Sequence, residues 1–245
     1  MKRIAALYDI HGNIDALRAV LRAVDAEHAD GLLFGGDLAL GPFPREVLDV
    51  VMTLGGDTRF IRGNCDRLVV DAYDGRDLTK LPPPVRETIE WTASRIGAAH
   101  RNFLDALPLV ATTHVDGLGD VLFCHATPRS DDELITVRTP AERMRPMLDD
   151  VLEKTIVCGH THMQFDRTVA GTRIVNAGSV GMPYGPPGAY WLLLGPAVRL
   201  MRTEYDLQNA AESVRHSGYP NAEEFAERSV LRPSSEEEML GRFAT

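Results

Sequence analysis

Seven side chains of metal-ligand type stand where apolar runs of this chain stop. They are Asp9 and His11 in Asp9-Ile10-His11, Asp37 in Gly36-Asp37, Asn64 in Gly63-Asn64, His125 after Val121 to Cys124, and His160 and His162 in Gly159-His160-Thr161-His162. Carboxylate, amide and imidazole donors without a thiolate suit a divalent ion of intermediate hardness. Mn2+ leads, with Fe, Zn2+, Ni2+ and Co2+ as alternates, whereas Cu(I) or a Cys-rich zinc site does not fit. Taken singly each residue has an ordinary explanation, the Asp as a helix cap and the His as a hydrogen-bonded surface or core residue. Taken together, seven are too many for one ion. If Asp37 serves two ions, each receives four protein ligands and keeps places for water and substrate, the layout of a two-metal phosphoryl-transfer site ~3.5–4 Å across. Two divalent cations against Asp9, Asp37 and one hydroxide leave about +1 in the pocket, which attracts phosphate.

The elements that must hold these residues read as strands ending in polar loops. Ile4 to Tyr8 is a buried-strand run, followed by a helix on Ile14, Leu17, Leu21 and Val24 with Asn13 as N-cap and Asp15 in the first turn. The unit repeats with a strand over Gly31 to Gly35 and a helix from Pro44 through Leu54, and Thr58 to Arg62 gives a third strand. Strands alternating with single helices predict parallel βαβ units, whose functional groups gather at the carboxyl ends of the strands. Pro82-Pro83-Pro84 opens a helical excursion over 82–107 with helical spacing from Val85 to Leu107. Hairpins are expected at Thr112–Val115 with Val121–His125, over Arg167–Asn176, and at Ala189–Leu194 with Val198–Arg202. A helix is expected over Pro140–Leu152 and a strand over Thr155–Cys158, so the second half reads as mostly antiparallel.

The 245 residues are enough for one large α/β domain with an appendage. Lys and Arg total 26 against 35 Asp and Glu, a net charge of −9 that disfavours broad binding to nucleic acid or anionic lipid. No apolar run is long enough for a membrane span or a signal h-region, so a cytoplasmic protein is expected. Three cysteines, an odd number, fit no disulfide framework, none forms a C-x-x-C pair that would suggest structural zinc or a redox motif, and Cys124 and Cys158 sit inside apolar strands as packing residues. Residues 206–245 are helical and polar, with eight acidic and four basic side chains.

In order and spacing, the five ligand blocks resemble those of the calcineurin-like metallophosphoesterases. Gly63-Asn64-Cys65-Asp66 and Asn176-Ala177-Gly178-Ser179-Val180-Gly181 are similar to the small bacterial and archaeal phosphodiesterase-like branch. The resemblance spans residues 2–204. It implies a four-layer αββα sandwich of two mixed sheets flanked by helices over 1–204, with 205–245 as a C-terminal helical appendage. It also implies roles. Asp9, His11, Asp37 and His162 would hold the first metal, and Asp37, Asn64, His125 and His160 the second, with an ion-bridging hydroxide attacking phosphorus. Asp37, Asn64 and His125 are the residues on which catalysis is expected to rest most directly.

The sequence departs from that pattern at Cys65, where many members carry a His able to protonate the leaving group; a thiol of ordinary pKa ~8.5 is a poor substitute. His114 is the alternative imidazole donor for that proton. Arg67, then Arg62 and Arg129, are candidates to clamp phosphate oxygens, and Asn176 and Ser179 to orient His160 or His162. The favoured activity is hydrolysis of a small phosphate ester or nucleotide, diesters ahead of monoesters. A Ser/Thr phosphoprotein phosphatase of the same superfamily and a non-catalytic metal- or nucleotide-binding regulator are the rival readings. A homo-oligomer is compatible with this sequence and not required by it.

Overall fold

The computed structural model describes residues 2–243; the outer ends of the two expected spans, at residue 1 and at 244–245, lie outside the described residues. Ten strands form two five-stranded sheets among the described residues. The first has the order β10-β9-β1-β2-β3, from β1 (Ile4–Leu7), β2 (Gly31–Phe34), β3 (Asp57–Phe60), β9 (Ala189–Leu194) and β10 (Val198–Thr203). The second has the order β4-β5-β6-β8-β7, from β4 (Val110–Val115), β5 (Gly119–Cys124), β6 (Thr155–Cys158), β7 (Gln164–Val169) and β8 (Thr172–Ala177). Alternating side chains fix which face each strand turns inward. Ile4, Ala6, Tyr8, Leu192 and Leu194 of the first sheet meet Val121, Phe123, Val157 and Val175 of the second. Ala5, Leu7, Phe34, Trp191 and Leu193 point the other way, under the helices that cover the first sheet. On the far side, Leu122, Cys124, Ile156 and Ile174 pack beneath Met144 and Met147. The result is the expected αββα sandwich.

The first sheet is covered by α1 (Ile14–Ala26), α2 (Pro44–Thr53), α3 (Asn64–Tyr73), α4 (Pro83–Arg95) and α5 (Ala98–Asp105). In α1 the Asn13 side chain accepts from Ala16 N; Ile14, Leu17 and Val24 are buried as the periodicity predicts, whereas Leu21 is only half-buried and Val20 takes a place on the buried face. Helix α3 is a correction: Asn64-Cys65-Asp66 read as loop, yet Asn64 begins a helix whose buried residues are Asp66, Val69 and Val70. The excursion over 82–107 is likewise two helices, broken where Ile96 and Gly97 turn extended. The helix expected over Pro140–Leu152 shrinks to α6 (Ala141–Met144) and a 3-10 turn at Arg145–Met147. Pro146 has no N–H to donate to a carbonyl of the preceding turn, and Asp150 turns left-handed at φ 68°.

The second sheet is less antiparallel than the hairpins alone imply. Its centre, β5-β6-β8, is parallel, with Val121 opposite Thr155 and Thr155 opposite Arg173, and only the edge strands β4 and β7 join by hairpins. Hairpins are local and leave turn residues as a signal, whereas parallel neighbours are joined by distant connections. Beyond β10 come α7 (Leu207–Arg215), α8 (Ala222–Phe225), a π-turn at Ala226–Leu231 and α9 (Glu236–Phe243). Phe225 and Val230 pack with Ala210 and Val214, and Met239 and Leu240 pack on Met163. No helix of the described residues is long and apolar enough to cross a membrane.

Candidate metal centre

Asp9, Asp37 and Asn64 follow the parallel strands β1, β2 and β3, and His125 and His160 follow β5 and β6, so the loops of both sheets meet at one end of the sandwich. They are stitched there by backbone bonds: Asp9 N to Gly36 O (3.1 Å), His11 N to Asp37 O (2.9 Å), Gly159 N to His125 O (2.8 Å) and Gly181 N to Asp9 O (2.9 Å). Asp9, His11, Asp37, His160 and His162 all have positive φ, between 47° and 64°. Non-glycine residues rarely hold that conformation, and such strain collects at functional sites.

The structure brings all seven expected ligands together. Asp9, His11 and His162 form one donor group, and Asp37, His125 and His160 form another. Asp37 Oδ2 lies 3.6 Å from His11 Nε2 and 3.5 Å from His125 Nε2, so it stands between the groups. Asn64 Oδ1 is 3.1 Å from His125 Nε2, on the second side. The ring nitrogens facing away are tied to backbone carbonyls: His11 Nδ1 to Leu40 O (3.2 Å), His125 Nδ1 to Gly35 O (2.8 Å) and His162 Nδ1 to Met182 O (2.7 Å). A carbonyl only accepts, so each Nδ1 carries a proton and Nε2 is the ring nitrogen left to bind a cation when the ring is neutral. His11 Nε2 and His162 Nε2 consequently face each other at 3.2 Å, beside a buried Asp9 Oδ1 that has no hydrogen-bond partner. Converging lone pairs and an orphaned carboxylate oxygen are what a cation satisfies, and these oxygen and nitrogen donors fit divalent ions.

The electrostatics of the bare cluster express the same need. Burial alone raises a carboxyl, yet the neighbouring imidazoles hold Asp9 below its ordinary value and Asp37 well below it. Burial disfavours the charged imidazoles too. In His160, with His125 adding repulsion, the value falls to about 4, whereas the Asp37 charge beside His125 overrides burial and lifts it to about 10.

Glycines let the backbone approach the carboxylates. A methyl on Gly159 would sit 2.5 Å from Asp9 Oδ2, and one on Gly63 would sit 2.8 Å from Asp37 Cγ. Asp66, to which the sequence reading gave no role, accepts from the backbone of Asp37 (2.8 Å), Leu38 (2.9 Å), Ala39 (3.4 Å) and Gly63 (3.1 Å), joining the Asp37 and Asn64 loops. Burial and the Asp37 charge raise its carboxyl to about 7, against the pull of the Gly63 and Leu38 N–H groups. Its signal in the sequence was an acidic residue in the first turn of a helix that was itself missed. Asn176 donates to Gly159 O (2.6 Å) and Thr161 Oγ1 (3.1 Å), bracing the His160 loop. Ser179 donates to Asp9 O and accepts from Met182 N, both at 2.8 Å, so it reaches His162 through the carbonyl of Met182.

Other expectations fall outside the cluster. Arg67 forms a two-point pair with Asp131 (2.8 and 2.9 Å), Arg62 lies 3.8 Å from the same carboxylate, and Arg129 binds Glu133 and Pro146 O. None of the three lines the cavity over the ligands. His114 is exposed on edge strand β4, 2.9 Å from Asp120. Cys65 does line the cavity, but burial and the Asp37 charge push its thiol well above the ordinary value, which makes it a weaker acid still. Cys124 and Cys158 are buried in strands as expected.

A family model described as the calcineurin-like phosphoesterase superfamily domain matches residues 1–194. An uncharacterized protein of Methanocaldococcus jannaschii is 27% identical over 240 residues, covering 89% of this chain and 93% of that protein. A crystal structure of a metallophosphoesterase from Sphaerobacter thermophilus is 28% identical with a TM-score of 0.71, over 93% of this chain and 97% of that one. A hypothetical protein from Pyrococcus horikoshii shares the fold, with a TM-score of 0.81 at 21% identity over 96% of this chain and all of the other.

Proposed function

Because the chain belongs to the calcineurin-like phosphoesterase superfamily, we propose that it hydrolyses small phosphate esters, diesters ahead of monoesters, at a site that holds two divalent ions, Mn2+ first. The observation that carries this is Asp37 standing 3.6 and 3.5 Å from imidazoles of the two donor groups. Asp9, His11, Asp37 and His162 would hold one ion, and Asp37, Asn64, His125 and His160 the other. When bound, such a pair lowers the pKa of water and neutralises charge on phosphoryl oxygens.

The chain's own part is positional. The backbone carbonyls of Leu40, Gly35 and Met182 fix three imidazole tautomers, and Asp66 holds the Asp37 and Asn64 loops in register. Protonation of the leaving group falls to solvent, since Cys65 holds its proton tightly and His114 is elsewhere. Esters with activated leaving groups should therefore react faster than alkyl esters. A cavity of about 520 Å³ walled by helices favours a small ester over a folded phosphoprotein.

The test is turnover of bis(p-nitrophenyl) phosphate and p-nitrophenyl phosphate by folded protein with and without Mn2+. Metal-dependent release of nitrophenol, faster from the diester, is expected. No turnover of either ester would defeat the proposal and leave the regulator reading in its place.

A further inference from the structure

The cavity over the ligands, at about 520 Å³, is far larger than a phosphate group needs and lies within the ~300–1,000 Å³ typical of small-molecule sites. Its floor is the donor cluster. Part of its wall comes from beyond the matched family domain, where Tyr219, Phe225 and Met239 give it an apolar surface. That wall is anchored, because Phe225 and Met239 are themselves buried. Two cations stand on the same wall, Arg228 and Arg242. Their side chains are 62% and 57% exposed, which places them toward solvent, near Glu224 (3.9 Å) and Glu238 (2.8 Å) respectively. Exposed pairs of this kind are weak enough to yield to an anionic ligand.

The charge pattern is specific to this wall. The arginines beside the ligand blocks are turned to Asp131 and Glu133. In a chain of net charge −9, the arginines that line the cavity are Arg228 and Arg242 of the C-terminal segment, with Glu224 beside them. A guanidinium fork matches phosphate and carboxylate oxygens, while Tyr, Phe and Met faces accept an aromatic or aliphatic body.

We propose that the substrate is a phosphate ester whose organic group is nucleoside-sized and largely apolar and carries a second anionic group, bound by Arg228 and Arg242 while the ester phosphate lies at the donor cluster. The assignment rests on the phosphoesterase reading of the floor. It makes the C-terminal helices the part of the chain that selects the substrate.

Titration calorimetry on the full chain with Mn2+ tests it. The probes are adenosine 3′,5′-bisphosphate, with phosphates on two sides of a nucleoside, and adenosine 5′-monophosphate. The bisphosphate should bind wild type about tenfold more tightly. Arg228→Ala and Arg242→Ala should each cut that ratio about threefold, and the double variant should bring it near unity. Should an alanine variant fail to fold, Arg228→Lys and Arg242→Lys keep the charge, lose the fork and should show a smaller fall. Equal binding of the two nucleotides by wild type, no binding of either, or a ratio that the folded variants leave unchanged would overturn the assignment. The readout needs no turnover. A wild type with the binding preference but without hydrolysis would therefore defeat the phosphoesterase reading and leave the second-anion site standing.

Discussion

Replacing Gly63 by alanine asks whether the placement of the Asp37 carboxylate, and not merely its presence, sets activity. The backbone at Gly63, with φ −93° and ψ 168°, is one that alanine adopts freely, so the change adds no backbone strain. The new methyl would stand 2.8 Å from Asp37 Cγ and closer still to Oδ1 and to the backbone N of Asp37, about 1 Å or more inside ordinary contact. Asp37 must move, and the bond it accepts from Cys65 N at 2.8 Å moves with it. Overpacking of this size costs roughly 1–3 kcal/mol, or about 2–12 °C of melting temperature for a chain of this length. A displacement of ~1 Å at a catalytic anchor costs on the order of 10²-fold in rate. Gly97→Ala is the matched control. Gly97 also precedes a helix, at φ −102° and ψ 174°, but a methyl there meets nothing within 4 Å. We expect G63A to melt as a folded protein, to bind Mn2+ more weakly and to lose about 10²-fold in kcat/KM on bis(p-nitrophenyl) phosphate, with G97A near wild type throughout. G63A within about threefold of wild type, or equal losses in the two variants, would refute the reasoning.

Asn176→Ala removes the brace on the His160 loop and should weaken metal affinity by about 10–100-fold, read by competition with a chelating dye. Chelation should lower the melting temperature, and Mn2+ restored at 100 times its Kd should return about 2.7 kcal/mol, some 5–11 °C by calorimetry; an unchanged melt would argue against a buried ion pair. Burial raises the Asp131 carboxyl, but its bonds to Arg67 and the charge of Arg62 prevail and hold it below the ordinary range. A carboxyl depressed on folding adds stability at neutral pH that is lost as pH falls through its folded value, so the gap between wild type and Arg67→Ala should be widest near pH 7 and close below about pH 4. Urea unfolding at several pH values reads that gap, and a gap that stays constant would refute the pairing.

The donor cluster was legible because each ligand type follows a short apolar strand, and strand ends in such sheets converge whatever the rest of the chain does. The first three strands and the helices α1 and α2 were legible for the same reason, since period and caps are local signals. Asp66 was not. Its polar neighbours Asn64 and Cys65 looked like loop, and its role depends on four N–H groups, three of them some thirty residues away in sequence. Nor could spacing show that Arg67 faces Asp131, that β5, β6 and β8 run parallel, or that Arg228 and Arg242 come to rest over ligands as distant as His11. Those facts belong to tertiary packing, where partners far apart in the sequence decide the outcome.

Each donor group draws on both sheets: Asp9 and His11 with His162, and Asp37 with His125 and His160. A cation seated in either group therefore rivets together two layers whose shared face along β1, β5, β6 and β9 is mainly apolar, with Tyr8 Oη donating to Val157 O (3.1 Å) across it. Loss of one layer, by heat or by a protease nick, must release ions from both groups at once. Protection against proteolysis should accordingly rise with metal across the whole sandwich in a single step, rather than loop by loop.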